Sequence, residues 1–231
     1  MSAVNTVIIT GFEAYGDSPV NPTAEIVGLL DGTTLMGRRL IGLELPVSMR
    51  RVPELLRTTV DTHTPELVLS LGLANGRSML ALERIAVNVL DFPIADNNGA
   101  QPIDQPVVPG GPCAYFATLP IKSILLAWAA NGLPGYISNS AGTYLCNATF
   151  FHSLHLASSR GHRAGLVHVP YLPEQAAALT QPRTSSPRSL HAPAGGLPSM
   201  ALDVMLSAVR TAVEVSLSTR VDAIVAAGAI S

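Results

Sequence analysis

Charge is scarce in this 231-residue chain. Asp, Glu, Lys and Arg make up only 13% of it, and 14 basic against 16 acidic side chains leave a formal net charge of −2. The basic residues form no run longer than the pairs Arg38 with Arg39 and Arg50 with Arg51. The clustered basic face that a phosphate backbone requires is therefore missing, and no nucleic-acid partner is expected. Long apolar runs are missing too. The longest covers residues 124–130, far short of the roughly 20 that span a bilayer. Residues 1–6 contain no basic region leading into a long apolar one, so neither a signal peptide nor a membrane anchor is expected, and the expected setting is cytoplasmic. Cysteine is almost absent. Cys113 and Cys146 are too few for a disulfide framework, and their spacing fits no zinc motif. In a reducing compartment both stay thiols. A reactive thiol is one reading of either; a small buried hydrophobe is the commoner one.

Apolar material, by contrast, is plentiful at 48%, enough for a sizeable core and too much for a disordered chain. The length fits a single domain over residues 1–231. Strand-like and helix-like segments alternate, which predicts an α/β fold around a mostly parallel, twisted sheet. Strands are expected at 6–10, 40–47, 66–71, 86–90, 136–139 and 164–169. Helices are expected from an Asn21 or Thr23 cap to Leu30, at 53–60 with Pro53 in the first turn, and at 121–130. A last helix is expected at 201–215, where Val204, Ala208, Val209 and Ala212 recur at helical spacing. Residues 91–113, rich in Asp, Asn, Gln, Pro and Gly, read as a long functional loop. The Pro-, Ser- and Gly-rich stretch 181–198 reads as a flexible surface loop, and the pattern does not place the tail 216–231.

The chemistry concentrates in Ser138-Asn139-Ser140-Ala141-Gly142-Thr143-Tyr144-Leu145-Cys146-Asn147. A strand ends at Asn139, a small-residue turn follows, and Phe150, Leu154 and Ala157 then recur at helical spacing. Cys146 falls in the first turn of that helix. Open backbone N–H groups and the positive dipole end favour an anion there. Both effects favour the nucleophilic thiolate, and the same N–H groups can receive an oxyanion. Cys113, after Pro109-Gly110-Gly111-Pro112, lacks such a setting and reads as structural.

A nucleophilic cysteine needs a base, and six histidines are available. His152, His155 and His162 lie on or just beyond the Cys146 helix, His63 sits in a polar loop, and His191 falls in the 181–198 stretch. His168 differs, because it closes the strand Gly165-Leu166-Val167-His168-Val169, and ligands of open parallel sheets collect at the carboxyl ends of strands. A satisfied core histidine is the alternative. Glu83, with Arg84, interrupts the otherwise apolar Leu80-Ala81-Leu82-Glu83-Arg84-Ile85-Ala86 and could orient a histidine. An exposed, inert ion pair is the alternative.

Several pieces in fixed order carry a resemblance. They are Thr10-Gly11-Phe12 with Asn21-Pro22; Gly72 with Gly76-Arg77; Glu83-Arg84 with Ala86 and Asn88; and Asp96-Asn97 with Gly99. Gly110-Gly111-Pro112, Ala141-Gly142-Thr143 with Cys146-Asn147, and His168-Val169-Pro170-Tyr171 with Pro173-Glu174-Gln175 complete the set. In this the chain resembles the pyroglutamyl peptidase I (pyrrolidone-carboxylate peptidase) family of cysteine peptidases. The resemblance implies a single-domain three-layer α/β/α sandwich of phosphorylase/hydrolase type, with no cofactor and no metal, often assembled as a homo-oligomer, dimer or tetramer. It implies a triad of Cys146, His168 and Glu83, and a pyroglutamyl pocket formed by Phe12, Tyr15, Ile94, Tyr144 and Leu145. Its substrates would be peptides with an N-terminal pyroglutamyl residue, attacked by Cys146 to give a thioacyl-enzyme. Three positions depart from relatives: Tyr15 replaces Phe, Leu73 replaces Gln, and Pro93 replaces Arg. Two other readings of such a fold are a nucleoside-processing enzyme and a non-catalytic pyroglutamyl-binding paralogue.

Overall fold

Seven consecutive buried residues, Thr6–Phe12, form the first strand, β1. A run buried on both faces is what the middle of a parallel sheet requires. The computed structural model describes residues 5–15, 18–180 and 196–228. In chain order the elements after β1 begin with α1 (Pro22–Leu30), β2 (Thr34–Leu35), β3 (Arg38–Leu45), α2 (Val52–His63) and β4 (Leu67–Leu73). They continue with β5 (Leu80–Glu83), β6 (Ile85–Val87), β7 (Ala114–Phe116), α3 (Ile121–Ala130) and β8 (Gly135–Ser138). The last are α4 (Leu145–Arg160), β9 (Arg163–Val169), α5 (Pro173–Leu179) and α6 (Leu202–Ser218).

Seven strands make one sheet in the order β2-β3-β1-β4-β9-β5-β8, and β6 with β7 makes a separate antiparallel pair. β1 runs parallel to β3 and β4, and β4 parallel to β9. β5 reverses direction against β9 and carries β8 parallel to itself. Side chains alternate across the sheet with the period of two expected of strands. Val7 and Ile9 join Leu67, Leu69 and Leu71 in one cluster, covered by Ile26 of α1, Trp128 of α3 and Val209 of α6. Ile8 and Val68 join the opposite cluster with Leu56 of α2 and Phe150, Phe151 and Leu154 of α4. The result is the helix–sheet–helix layering expected for the fold.

Local chemistry accounts for several boundaries. The Asn21 side chain, rather than Thr23, caps α1, its Oδ1 accepting from the Thr23 N–H at 3.1 Å. Thr23 instead turns its Oγ1 to the Phe12 N–H at 2.8 Å. The strand expected at 86–90 is shorter and lies outside the main sheet as β6, while β5 sits in a stretch where the sequence pattern announces no strand. β5 is buried at all four positions, so it shows no alternation to read. The loop at 91–113 is tied down: Asn88 Nδ2 donates to the Val108 carbonyl at 3.0 Å, and the Val108 N–H donates back at 2.8 Å. Of the stretch expected to be a flexible loop, 181–195 lies outside the described residues. The tail after α6 is irregular, yet Asp222 accepts from the Lys122 and Ser123 N–H groups at 3.1 and 2.8 Å. It thereby caps α3, which has no side-chain cap from Pro120.

Candidate active site

The turn before α4 is built from short side chains. Ser138 Oγ accepts from the Ser140 N–H, Ser140 Oγ accepts from the Gly142 N–H, and Gly142 takes a φ of 76°. That left-handed conformation is one glycine adopts without strain. Thr143 Oγ1 then donates to the Asp91 carbonyl at 2.7 Å, and α4 begins. The helix has no side-chain cap, and the Ala148 N–H to Tyr144 carbonyl contact opens its ladder. The N–H groups of Leu145, Cys146 and Asn147 are thus left for something other than the helix itself. Asn147, fully buried, ties the turn to β6: its Oδ1 accepts from the Val87 N–H, and its Nδ2 donates to the Val87 and Val89 carbonyls, all within 3.1 Å.

His168 lies near the carboxyl end of β9, paired in register with Gly72 on β4 and Ala81 on β5. Its Nδ1 is 2.7 Å from Glu83 Oε1, while its Nε2 and the Cys146 Sγ both border the bare backbone of Gly72. Gly72 makes this convergence possible. A Cβ on Gly72 would lie 2.7 Å from His168 Cδ2, 2.8 Å from Cys146 Sγ and 2.9 Å from His168 Nε2. Burial pushes the imidazolium of His168 down, but the hydrogen bond and charge of Cys146, followed by those of Glu83, outweigh it and raise the pKa to about 9.

Glu83 is 0% exposed. The exposed pairing with Arg84 is not found: Arg84 turns to the Asn139 Oδ1 at 2.8 Å. The cation at Glu83 is Arg77, from the loop between β4 and β5, with Nη1 2.8 Å from the same Oε1 that meets His168. Sequence reasoning gave Arg77 no role. Its only signal was its place six residues before Glu83 beside Gly76, too weak to assign a contact.

Phe12, Tyr15, Tyr144, Leu145 and Cys146 line a small, mostly apolar cleft, together with Asn21, Val47 and Leu73. Ile94 stands apart from this lining and is 54% exposed. Val47, just after β3, and Asn21, the cap of α1, were not anticipated in this lining. Burial, then the charge of Cys146, raises the pKa of Tyr15 to about 12. Burial, then the charges of Asp96 and Cys146, likewise raises Tyr144 to about 12. Both phenols stay neutral at ordinary pH. The Tyr144 ring packs on Phe92 with centroids 4.4 Å apart. A larger recess lined by Arg84, Phe116, Lys122, Arg163 and Arg220 touches none of the cleft residues.

Cys113 is exposed, not buried. The remaining described histidines have other neighbours: His155 Nδ1 meets Tyr115 Oη at 2.9 Å, and His162 Nε2 meets the Ser153 carbonyl at 3.3 Å. Burial, with His155 nearby, lowers the pKa of His152 to about 4. His191 lies outside the described residues. Among the described residues no group of three or more His, Cys, Asp or Glu is arranged to hold a metal ion, and no helix is long and apolar enough to cross a membrane. A thiol, a buried imidazole beside it and a buried carboxylate behind the imidazole, next to an apolar cleft and open backbone N–H groups, form a set able to perform acyl transfer.

A family model described as pyroglutamyl peptidase matches residues 5–219. The pyrrolidone-carboxylate peptidase of Escherichia fergusonii is 41% identical over 227 residues, covering 98% of this chain and 99% of that one. That of Pyrococcus furiosus is 42% identical over 213 residues, covering 91% and 97%. Among solved structures, a mutant pyrrolidone carboxyl peptidase from Pyrococcus furiosus superposes with a TM-score of 0.85 at 40% identity, over 92% of this chain and 98% of that one. The pyrrolidone carboxyl peptidase of Thermococcus litoralis does so with a TM-score of 0.84 at 40% identity, over 93% and 94%.

Proposed function

The chain belongs to the pyroglutamyl peptidase family, and from that premise we propose that Cys146, His168 and Glu83 carry its hydrolysis of the bond after an N-terminal pyroglutamyl residue. The observation that carries this reading is a single histidine set between both partners, with Nδ1 2.7 Å from Glu83 Oε1 and Nε2 beside Cys146 Sγ over the bare backbone of Gly72. The family match sets the nucleoside-processing alternative aside.

Cys146 Sγ attacks the carbonyl joining pyroglutamate to the next residue. The open N–H groups at the start of α4 receive the oxyanion. His168 gives its proton to the leaving amine, so the C–N bond breaks and a thioester remains on Cys146. Neutral His168 then takes a proton from water, the resulting hydroxide adds to the thioester carbon, and the C–S bond breaks. Pyroglutamic acid leaves, and the thiolate and imidazolium are restored.

The cleft suits the substrate's chemistry. Pyroglutamate is a neutral lactam, so Phe12, Tyr15, Tyr144 and Leu145 can bury its ring without facing a charge. A free N-terminal Glu or Gln would bring an ammonium group into the same mostly apolar slot, at a large desolvation cost. Discrimination then arises by rejection as much as by attraction.

Turnover of a pyroglutamyl-arylamide by the wild-type protein and by Cys146→Ala tests the assignment. Loss of turnover in the variant, with the fold intact, is the expected result; comparable turnover would overturn the role of Cys146. Tight binding of the arylamide without turnover by the wild type would instead support a non-catalytic paralogue. We further propose a single-domain, cytoplasmic enzyme that assembles as a homo-oligomer, dimer or tetramer. Light scattering on the purified chain checks the assembly.

A further inference from the structure

We infer that Arg77 is a positioning residue for the second half of the reaction: it holds Glu83 ionised while His168 is neutral, so that His168 presents a free Nε2 to water. This rests on the triad reading above and assigns a role within it.

The geometry is specific. Glu83 is fully buried, and its Oε2 is also buried with no hydrogen-bond partner among the described residues. Both contacts converge on Oε1, His168 Nδ1 at 2.7 Å and Arg77 Nη1 at 2.8 Å. Arg77 is itself held, with Nη2 donating to the Ser140 carbonyl at 3.4 Å and its guanidinium carbon 5.9 Å from the centre of the Tyr136 ring. A buried ionised carboxylate is stabilised by a cation. In the resting enzyme two are present, imidazolium and guanidinium. The other titratable groups facing the cluster are Cys146 from α4, which contacts His168, and the phenols of Tyr15 and Tyr144, which remain neutral.

The two halves of the reaction treat this cluster differently. Before acylation the negative sulfur keeps His168 protonated, and Glu83 faces an imidazolium. Once the thioester forms, the sulfur carries no charge and His168 has given up its proton. Among the described residues, Arg77 is then the only full cation bonded to Glu83. With Glu83 ionised, the remaining imidazole proton sits on Nδ1 and Nε2 is a free base for water. Without the guanidinium, the carboxyl can hold a proton and donate it to Nδ1, which moves the imidazole proton to Nε2 and removes the base.

The test is single-turnover and steady-state kinetics of a pyroglutamyl-arylamide with Arg77→Met and Arg77→Lys. For Arg77→Met, kcat is expected to fall roughly tenfold to a hundredfold. KM should fall in parallel, so that kcat/KM changes far less, with a burst of arylamine near one equivalent per site. The acid limb of the kcat profile should move to higher pH, and Arg77→Lys should recover part of kcat. A merely structural role would reduce burst amplitude, lower kcat and kcat/KM equally, and leave both KM and the pH profile unmoved. Equal falls in kcat and kcat/KM without a burst, or an unmoved acid limb, would overturn the inference. Arg77→Lys carries the same readouts if Arg77→Met does not fold. Failure here beside an inactive Cys146→Ala leaves the triad standing, whereas an active Cys146→Ala would remove the triad itself.

Discussion

Gly72 and His168 are register partners on neighbouring strands, and the space where a Gly72 side chain would begin is occupied by the imidazole and the Cys146 sulfur. The thiol and imidazole meet over bare backbone. Gly72→Ala would place a carbon within 2.9 Å of three reacting or adjacent atoms, closer than side chains tolerate. We expect at least a hundredfold loss of kcat/KM, because misplacement of about 1 Å at a reacting pair costs about that much. The fold should lose no more than about 1–3 kcal/mol. Kinetics together with thermal melting separate the two effects.

The raised pKa of His168, about 9, has a consequence for stability. Its ordinary unfolded value is about 6.5, so the folded state binds the proton more tightly. The associated stabilisation is fully present below pH 6.5 and is lost as pH rises through about 9. Denaturant unfolding at pH 6.5 and pH 9.5 should show the wild type weakening across this window. His168→Gln should weaken less. A variant with the same slope as wild type would sink this account.

Asn147 completes three hydrogen bonds to the backbone of residues 87 and 89 from a fully buried position. Asn147→Ala removes all three and leaves buried backbone groups without partners. A cost of about 2–4 kcal/mol is expected from such losses. Activity should fall as well, since the same side chain anchors the first turn that carries Cys146. Urea unfolding and kcat measured on the folded fraction check both.

Asp222 caps α3 from the far end of the chain. Burial raises its pKa, but the N–H groups of Lys122 and Ser123, the Ser123 hydroxyl and the Ala223 N–H outweigh burial and lower it. Its contribution is therefore present above the ordinary carboxylate range and lost as pH falls through the lowered value. Asp222→Ala should cost about 1 kcal/mol, as lost caps do. Arylamide turnover should not change, which a melting curve and a kinetic assay read independently.

How much could be read beforehand depended on how local each feature is. The placement of Cys146 followed from a strand, a small-residue turn and a helical repeat all within 20 residues of one another. α3 was read at its observed bounds because its apolar run is closed by Asn131 and Gly132. β5 escaped notice because four residues buried on every side carry no period. Arg77 escaped because its partner is chosen by the path of a loop, and adjacency pointed instead to Arg84. Ile94 was placed in the pocket by resemblance, yet it stands exposed, outside the cleft lining.

The sequence by itself determined the alternation of strands and helices, the helix-start thiol and the strand-end imidazole, because each arises from propensities and spacings along a short stretch of chain. The tertiary structure alone decided which groups touch. It brought Gly72, Glu83, Arg77 and His168 within bonding or contact distance of one another, and it passed over Cys113 and Arg84. The physical reason is that burial and bonding partners depend on strand order, and strand order is set by the packing of the whole sheet between its two helical layers.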